Sequence, residues 1–243
     1  MVSLKIRFIR EHNRIYKFWM RFLWRLYGLD SPIILMVHGF KSQPKSAFEL
    51  KSSSFERLMQ YLIENGWHAM TQEELLSGKW GKKAFYLTFD DTYDTVYSEA
   101  FPIIKRLNIP FTMFVTRDLI DKPGFITQNH LDELIKEPIC HIGGHGMQHA
   151  VFRNLSSQEA ARQIDTNFPT FAFPYGRIVE VSCKNRRQIR KSEYKMAFSA
   201  LEGTLQSSWF TGRYFLPRVN VSERFVERFI AGEFPKFKEC EGR

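Results

Sequence analysis

The chain has 243 residues, of which 44% are hydrophobic, including 23 Phe, and it carries a formal charge of +9. This length and apolar content predict one large folded domain and exclude an intrinsically disordered chain. No run of 18 uninterrupted apolar residues occurs, so no transmembrane helix is indicated. The three cysteines have no metal-type spacing, and their odd number favours free thiols in a reducing compartment.

Most of the positive charge lies in residues 1–27. Seven basic residues and one acidic residue give this segment +6, so the remainder of the chain carries only +3. A weakly basic body with a basic arm is not the pattern of a nucleic-acid-binding platform. Apolar residues of the arm recur at helical spacing: Leu4, Phe8, Ile15, Trp19, Phe22 and Leu26, with Phe18, Leu23 and Trp24 widening the face.

Residues 1–30 are therefore predicted to form a basic amphipathic helical arm that ends at Gly28. Charged residues interrupt every stretch that could serve as the hydrophobic region of a cleavable signal peptide, so no such peptide is expected. A basic helix with Trp and Phe on its other face is typical of helices that lie on an anionic membrane surface. The same stripe could instead pack on the domain or on a second copy, and the sequence leaves these alternatives open. The expected location is cytoplasmic and peripheral at the membrane surface, with nucleic acid the least favoured partner.

From residue 31 to residue 243, short apolar runs alternate with helical patterns. The runs with strand character are 33–37, 67–70, 84–89, 111–115, 169–173, 194–198 and 214–219. Helical patterns begin at Ser54, Thr71, Asp94, Leu131 and Gln158. This alternation predicts parallel strands joined by helical crossovers. The C-terminal tail is polar and gives no clear element.

The run 84–89 ends abruptly in two adjacent carboxylates, Asp90 and Asp91. In parallel α/β sheets and barrels, ligands and chemistry gather at the carboxyl ends of the strands. Two acids at such a position can divide the work, one holding a metal ion and the other moving a proton. Taken alone, Asp91 or Thr92 could simply cap the following helix. His38 occupies a comparable position after the strand 33–37.

Two histidines, His145 and His149, are four residues apart and would share one face if the segment were helical. His141 offers a competing pair with His145, but two intervening glycines make a helix between them improbable. Two histidines with one Asp would form a three-ligand site with an open position, as catalytic zinc requires. The same ligand types serve non-haem iron, so they do not identify the metal.

A further strand breaks at Pro174-Tyr175-Gly176. Gly permits a tight turn and Pro fixes the approach of the chain, so the backbone N–H of Tyr175 could point at a developing oxyanion. An ordinary strand-ending turn is the simpler interpretation of this motif alone.

The motifs taken in chain order resemble the polysaccharide deacetylases, the NodB-homology domains of carbohydrate esterase family 4. They are Thr88-Phe89-Asp90-Asp91, then Gly144-His145 with His149, then Phe173-Pro174-Tyr175-Gly176. The strand that ends in His38 resembles the opening strand of the poly-N-acetylglucosamine deacetylase-like branch. The resemblance spans residues 31–220 and leaves the arm outside it. It implies a distorted (β/α) barrel of about seven parallel strands, with metal-dependent hydrolysis of the N-acetyl group of an amino sugar in a glycan.

The functional residues of the family carry over position by position. Its metal ligands, usually to one zinc ion, match Asp91, His145 and His149. Asp90 matches the general base, and His38 matches the general acid of the branch. The oxyanion would lie between the metal and the N–H of Tyr175, with Pro174 and Gly176 completing the substrate-binding turn.

Three positions depart from the family pattern. Thr92 replaces the usual Gly after the acids, Gly146 replaces a Ser or Thr, and Ala172 stands where an Arg is common. We expect Arg218 to supply the missing guanidinium beside Asp90. The departures also motivate an alternative function, a catalytically weak relative that binds glycans. The sequence does not specify which glycan is bound, or whether an N-acetyl or an O-acetyl group is removed.

Overall fold

The computed structural model describes residues 15–16, 18–20, 22–164 and 168–233. Seven parallel strands close into a barrel, which confirms the predicted fold class. Their bounds are β1 (Ile33–Val37), β5 (Ala84–Phe89), β6 (Phe111–Val115), β7 (Cys140–Gly144), β8 (Thr170–Ala172), β9 (Met196–Glu202) and β10 (Leu216–Asn220). The neighbours around the barrel are β1-β10-β9-β8-β7-β6-β5, and pairing of β5 with β1 closes the ring.

Three short strands lie outside the ring. The strand β4 (His68–Ala69) pairs with the first two residues of β5. The strands β2 (Gly39–Phe40) and β3 (Glu49–Leu50) form a separate parallel pair just after β1. They fix both ends of the loop 41–48 that follows His38.

The barrel strands are buried on both faces, which is why their sequences are nearly continuous apolar runs. In β5, Tyr86 packs with Ile34 and Phe198 in the cluster that fills the barrel. The alternate residues Phe85 and Leu87 pack in the outer cluster beneath the helices. Two layers of core therefore hold each strand from opposite sides.

Eight labelled helices accompany the strands. Their bounds are α1 (Ser52–Glu64), α2 (Gln72–Ser77), α3 (Phe101–Arg106), α4 (Gln128–Ile135), α5 (Ser157–Gln163), α6 (Cys183–Arg190), α7 (Ser208–Thr211) and α8 (Glu223–Ile230). The helix expected from Asp94 begins instead as a π-helical turn, Val96–Ala100, that runs into α3. Pro102 explains the wide turn, because a proline ring clashes with the carbonyl four residues earlier in a regular helix.

The helix α8 lies in the segment that the sequence left unassigned. Ser222 caps it by accepting a hydrogen bond from the N–H of Phe225. Phe225, Val226 and Phe229 recur at helical spacing and are buried against the barrel. The signal was present but was obscured by the polar residues that follow residue 230.

Residues 15–16, 18–20 and 22–27 are helical and are called the arm helix below. The arm helix ends at Gly28, as expected, where φ is +86°. Four of its residues are buried against the barrel: Tyr16, Met20, Leu23 and Trp24. The stripe on which the sequence analysis relied faces the other way, and its members Ile15, Phe18, Trp19, Phe22 and Leu26 are exposed.

The arm therefore has two apolar faces, because the buried residues also follow helical spacing. Leu23 and Trp24 belong to the buried face, so the expectation that they widen the stripe of Ile15, Trp19 and Phe22 was wrong. Leu4 and Phe8 lie outside the described residues. The division into an arm of residues 1–30 and a deacetylase-like domain of residues 31–243 stays a prediction. Within the described part of the chain, no helix is both long enough and apolar enough to cross a bilayer.

Candidate metal centre and active site

The predicted site residues gather at one end of the barrel. His38 follows β1, Asp90 and Asp91 follow β5, and His145 follows β7. All of these strands are parallel, so their carboxyl ends meet at the same rim. Pro174-Tyr175-Gly176 begins two residues after β8 at the same rim.

Asp91, His145 and His149 form a compact group of donor atoms. Oδ1 of Asp91 lies 3.1 Å from Nε2 of His145 and 2.9 Å from Nε2 of His149. One donor atom from each of the three residues lies within 4.8 Å of the other two. No other group of three or more such side chains occurs in the part of the chain that the structure describes.

The chemistry of this group fits a cation. Nδ1 of His145 donates a hydrogen bond to the carbonyl of Ala172 at 2.8 Å, which leaves Nε2 facing Asp91. A backbone partner on the outer nitrogen is the usual way to orient a metal-binding histidine. Burial by itself would lower the pKa of His145. The hydrogen bond to Asp91 and the charges of Asp90 and Asp91 outweigh burial, so the pKa of His145 is raised. Hydrogen bonds from the two histidines likewise hold the pKa of Asp91 well below its usual value despite burial. A divalent ion would supply the positive charge that this cluster favours.

The histidines do not share a helix, so that expectation was wrong. Residues 145–150 form a loop, with φ of +78° at Gly146 and +53° at His149. Oε1 of Gln163, from α5, accepts hydrogen bonds from the N–H groups of Met147 and Gln148, both at 3.0 Å. The loop is therefore shaped by a distant glutamine, which sequence spacing could not indicate. His141 lies within β7 and is not part of the donor group.

Thr92 occupies the turn after the two acids in a conformation that normally favours glycine. The φ angles are +67° at Asp91 and +63° at Thr92, and a β-branched residue is strained there. The hydroxyl of buried Thr92 accepts a hydrogen bond from the N–H of Thr116 at 2.8 Å. Oγ1 of Thr116 in turn donates to the carbonyl of His145 at 3.3 Å. Thr92 thus links the loop that carries Asp91 to the loop that carries His145.

Asp90 is paired with Arg218 inside the barrel. The guanidinium donates from Nη1 to Oδ1 at 2.7 Å and from Nη2 to Oδ2 at 2.6 Å. Its Nε donates to the carbonyl of Ser199 at 2.9 Å, and the group lies over the rings of Phe114 and Phe198. Burial would raise the pKa of Asp90, but the charge and hydrogen bonds of Arg218, together with the charges of His145 and His38, lower that pKa. Asp90 is therefore held ionised and in one orientation.

His38 faces the same group of charges. Its Nδ1 is buried and has no hydrogen-bond partner among the described residues. The ring of Phe48, from the loop 41–48, meets the imidazole edge-on with centroids 4.8 Å apart. Burial lowers the pKa of His38, and the carboxylates of Asp91 and Asp90 partly oppose that effect.

The turn at Tyr175 forms the opposite side of the site. Tyr175 has φ of +60°, and its half-exposed ring lies 4.7 Å from the ring of His149. At Gly176 a Cβ atom would clash with the backbone of Ala200, whose N–H donates to the Gly176 carbonyl at 3.0 Å. Pro174 is buried beneath the turn. The motif is thus a tight turn locked against β9, with the Tyr175 peptide in a left-handed conformation.

Comparison with known proteins agrees with this geometry. The family model described as polysaccharide deacetylase matches residues 77–192, a span that includes both acids and both histidines. The poly-β-1,6-N-acetyl-D-glucosamine N-deacetylase of Staphylococcus aureus (strain MSSA476) is 24% identical over 211 residues, or 75% of this chain and 71% of the relative. The sequence is thus similar to those of the polysaccharide deacetylases, whose family model matches a little under half of this chain.

Solved structures of deacetylases share the fold. The Streptococcus pyogenes deacetylase PplD, in complex with acetate, superposes with a TM-score of 0.73 at 19% identity and covers 84% of this chain and 99% of its own. IcaB from Ammonifex degensii gives a TM-score of 0.69 at 22% identity, covering 84% and 97%. The family consists of hydrolases that act on carbon–nitrogen bonds other than peptide bonds. The protein described here is therefore such an enzyme.

The first prediction concerns the donor group. Loss of a hydrogen bond that orients a metal ligand typically lowers metal affinity by roughly 10- to 100-fold. The His149→Ala variant removes a ligand itself, so its affinity for zinc should fall by more than that. Isothermal titration of the apo protein with zinc measures this. His141→Ala is the matched control and should bind zinc as the wild type does. Full zinc affinity in His149→Ala, with loss in His141→Ala, would move the site to the competing histidine pair.

The second prediction concerns Thr92. Thr92→Val keeps the shape and the backbone strain but removes the hydroxyl, so the N–H of Thr116 is left without its partner. We expect zinc affinity to fall roughly 10-fold, as for other residues that orient metal ligands. Thr92→Ser keeps the hydroxyl and should restore the affinity. A Thr92→Val protein that binds zinc like the wild type would show that the hydroxyl link does not support the site.

Proposed function

We propose that the protein hydrolyses the N-acetyl group of an acetylated amino sugar in a glycan or glycoconjugate. The observation that carries this proposal is the adjacency of two differently paired carboxylates. Asp91 is directed at two histidines, whereas Asp90 is bound to Arg218. Such a pair separates metal binding from proton transfer. The substrate class is supported by the Staphylococcus aureus relative, which is a poly-β-1,6-N-acetyl-D-glucosamine N-deacetylase.

The cofactor we propose is one divalent ion, zinc, held by Asp91, His145 and His149. Two imidazoles and one carboxylate suit zinc, although the same set also serves iron. When bound, zinc lowers the pKa of a coordinated water to about 7 and polarises a carbonyl. Metal analysis of the purified protein would distinguish the two ions.

Asp90 is the proposed general base. Its low pKa makes it a weak base in the ground state, so it needs an acidified water as proton donor. Arg218 keeps both carboxylate oxygens oriented, and the guanidinium also offsets the cost of a buried charge. Arg218 is thus proposed as the residue that positions the base, in place of the Arg absent at Ala172.

Tyr175 is the proposed source of the oxyanion contact. Its left-handed backbone conformation and the lock between Gly176 and Ala200 hold the turn in one shape. A fixed N–H donor stabilises a developing oxyanion without reorganisation at the moment of reaction. Pro174, Tyr175 and Gly176 would form the substrate-binding turn around the acetyl group.

His38 is the proposed general acid. It lies at the rim, and Asp90 and Asp91 are close enough to influence its pKa. Its buried Nδ1 lacks a partner in the described structure, so the imidazole is not already committed to a structural hydrogen bond through that atom. A protonated His38 would give its proton to the departing amine.

The second candidate function is glycan binding with little catalysis. Two of the departures that motivate it are compensated, because Arg218 replaces the missing guanidinium and Thr92 makes its own link to Thr116. The geometry therefore favours catalysis. Bound zinc without acetate release from any acetylated glycan would favour the alternative.

We also propose a cytoplasmic protein that is peripheral at a membrane surface. The concentration of charge in residues 1–27 supports this location, and nucleic acid is disfavoured because the rest of the chain is only weakly basic.

The third prediction tests the reaction. The zinc-loaded protein should release acetate from N-acetylglucosamine oligomers, and the Asp90→Asn variant should keep zinc but lose turnover by about 10²- to 10⁴-fold, because the base is removed. Acetate release and zinc content are measured on the same samples, with thermal unfolding as the control for folding. O-acetylated glycans in parallel would identify the bond that is cleaved. Zinc loss in a folded Asp90→Asn protein would mean that the roles of the two acids are reversed.

The fourth prediction tests His38. His38→Ala should retain zinc and slow amide cleavage by about 10²- to 10⁴-fold, since a departing amine must be protonated. An acetyl ester with a good leaving group needs little protonation and should be affected much less. The comparison is made by kcat on both substrates. Equal losses on amide and ester would assign His38 a structural role.

A further inference from the structure

The arm helix shows solvent an aromatic face that the active site does not use. Ile15, Phe18, Trp19, Phe22 and Leu26 lie on this face, and their exposed fractions are 57, 64, 48, 47 and 65%. Soluble surfaces normally scatter such residues singly, whereas a contiguous group marks an interaction site. The rings are contiguous, because Trp19 meets Phe18 and Phe22 edge-on with centroids 6.1 and 5.8 Å apart.

The opposite face of the same helix fixes its position. Met20 and Leu23 pack in the cluster that contains Phe173 and Phe215 of the barrel wall. A Cβ atom at Gly203 would clash with the Met20 side chain, so the helix approaches the barrel closely. The aromatic face is thus held rigidly outward and does not depend on a free arm.

A further exposed aromatic residue, Trp209, lies two residues after a segment that the arm helix contacts. Ser207 lies close to Gly203, where Met20 also packs, and it precedes Trp209 by two residues. Trp209 is 69% exposed. Trp at the edge of an apolar surface is typical of membrane interfaces, where an amphipathic ring sits at headgroup level.

The charge of the arm decides between a lipid surface and a second copy. Residues 1–27 carry +6, and the basic residues Arg14, Lys17, Arg21 and Arg25 are spaced three or four apart, as on one helical stripe. Arg25, the member that the structure describes, is exposed. A second copy would bring one +6 segment against another, whereas an anionic membrane surface would neutralise it.

We infer that the exposed face of the arm helix, centred on Trp19 and Phe22, docks the protein on an anionic membrane surface. The aromatic side chains enter the headgroup boundary, and the basic stripe contacts the lipid charges. Because the helix is packed on the barrel, docking holds the whole domain at the surface. This inference does not depend on the proposed reaction.

The test is flotation of the full chain with vesicles of phosphatidylcholine alone or mixed with phosphatidylglycerol. The wild type should float with the anionic vesicles and much less with the neutral ones. The Trp19→Ser/Phe22→Ser variant should bind the anionic vesicles on the order of 10²-fold more weakly, because two buried aromatic contacts are lost. Arg25→Glu should weaken anionic binding on the order of tenfold and leave neutral binding unchanged.

The matched control carries the same kind of substitution elsewhere. Ile63 and Ile135 are also large, apolar and exposed, at 41 and 53%, but lie on α1 and α4. Ile63→Ser/Ile135→Ser should float like the wild type. Both doubly substituted proteins should unfold at the wild-type temperature, because all four side chains are exposed.

Three results would overturn the inference. The first is a wild type that floats with neither vesicle type, and the second is a Trp19→Ser/Phe22→Ser variant that floats as well as the wild type. The third is a wild-type dimer in analytical ultracentrifugation that this variant dissociates, without vesicle binding. The third result would assign the face to a second copy of the chain.

Discussion

Pairing between β1 and β5 is the constraint on which the site depends. It runs in register from Ile33 with Phe85 to Val37 with Phe89, and it converts an open sheet into a barrel. The N–H of Asp90 continues the ladder by donating to the carbonyl of Val37 at 2.9 Å. Because the pairing reaches the last residue of each strand, His38 and Asp90 emerge side by side. A slip of one residue would turn the inward and outward side chains around and separate them.

A buried ion pair follows from that closure. Asp90 and Arg218 come from strands on either side of β1, and both are almost fully buried. Burying two charges costs free energy that good geometry offsets only when the remaining polar atoms are also satisfied. Here the carbonyl of Ser199 and the hydroxyl of Thr88 accept two further guanidinium hydrogens. The pair is thus better explained by what it does for the orientation and ionisation of Asp90 than by a net gain in stability.

The loops around the candidate metal site show how backbone strain is distributed. Asp91, Thr92, His149 and Tyr175 all have positive φ angles although none is glycine. Such conformations cost on the order of 1–3 kcal/mol each and persist only where surrounding contacts fix them. The contacts are visible: the link from Thr92 to Thr116, the amide of Gln163 beneath the histidine loop, and the lock of Gly176 on β9. The site is rigid because several distant segments each hold one loop.

The arm helix has one apolar face packed on the barrel and a second apolar face exposed to solvent. One face seals the wall near β9, and the other remains apolar and exposed. A sequence with two apolar stripes on one helix satisfies the core and still has an unpartnered surface. The exposed face of the arm helix and the catalytic site are therefore separate surfaces of the protein.

Much of this protein could be predicted from its sequence, because the strongest signals were local. The apolar runs predicted parallel strands, since strands covered on both faces cannot alternate in polarity. Residues that follow such strands must meet at one rim, so the placement of His38, Asp90 and Asp91 there followed from position. His145 was grouped with them only through the family resemblance, because the strand Cys140–Gly144 before it was not predicted. The same logic could not find α8, because polar residues after it diluted a periodic pattern only eight residues long.

Other features were decided only by the tertiary structure. Helical spacing identified an apolar stripe on the arm but not which of two stripes the barrel would bury, since periodicity carries no information about the partner surface. The path of the loop between His145 and His149 depends on Gln163, and the role of Thr92 depends on Thr116. Hydrogen bonds between segments far apart in the chain leave no spacing in the sequence, because each partner is chosen by the fold that brings it within reach.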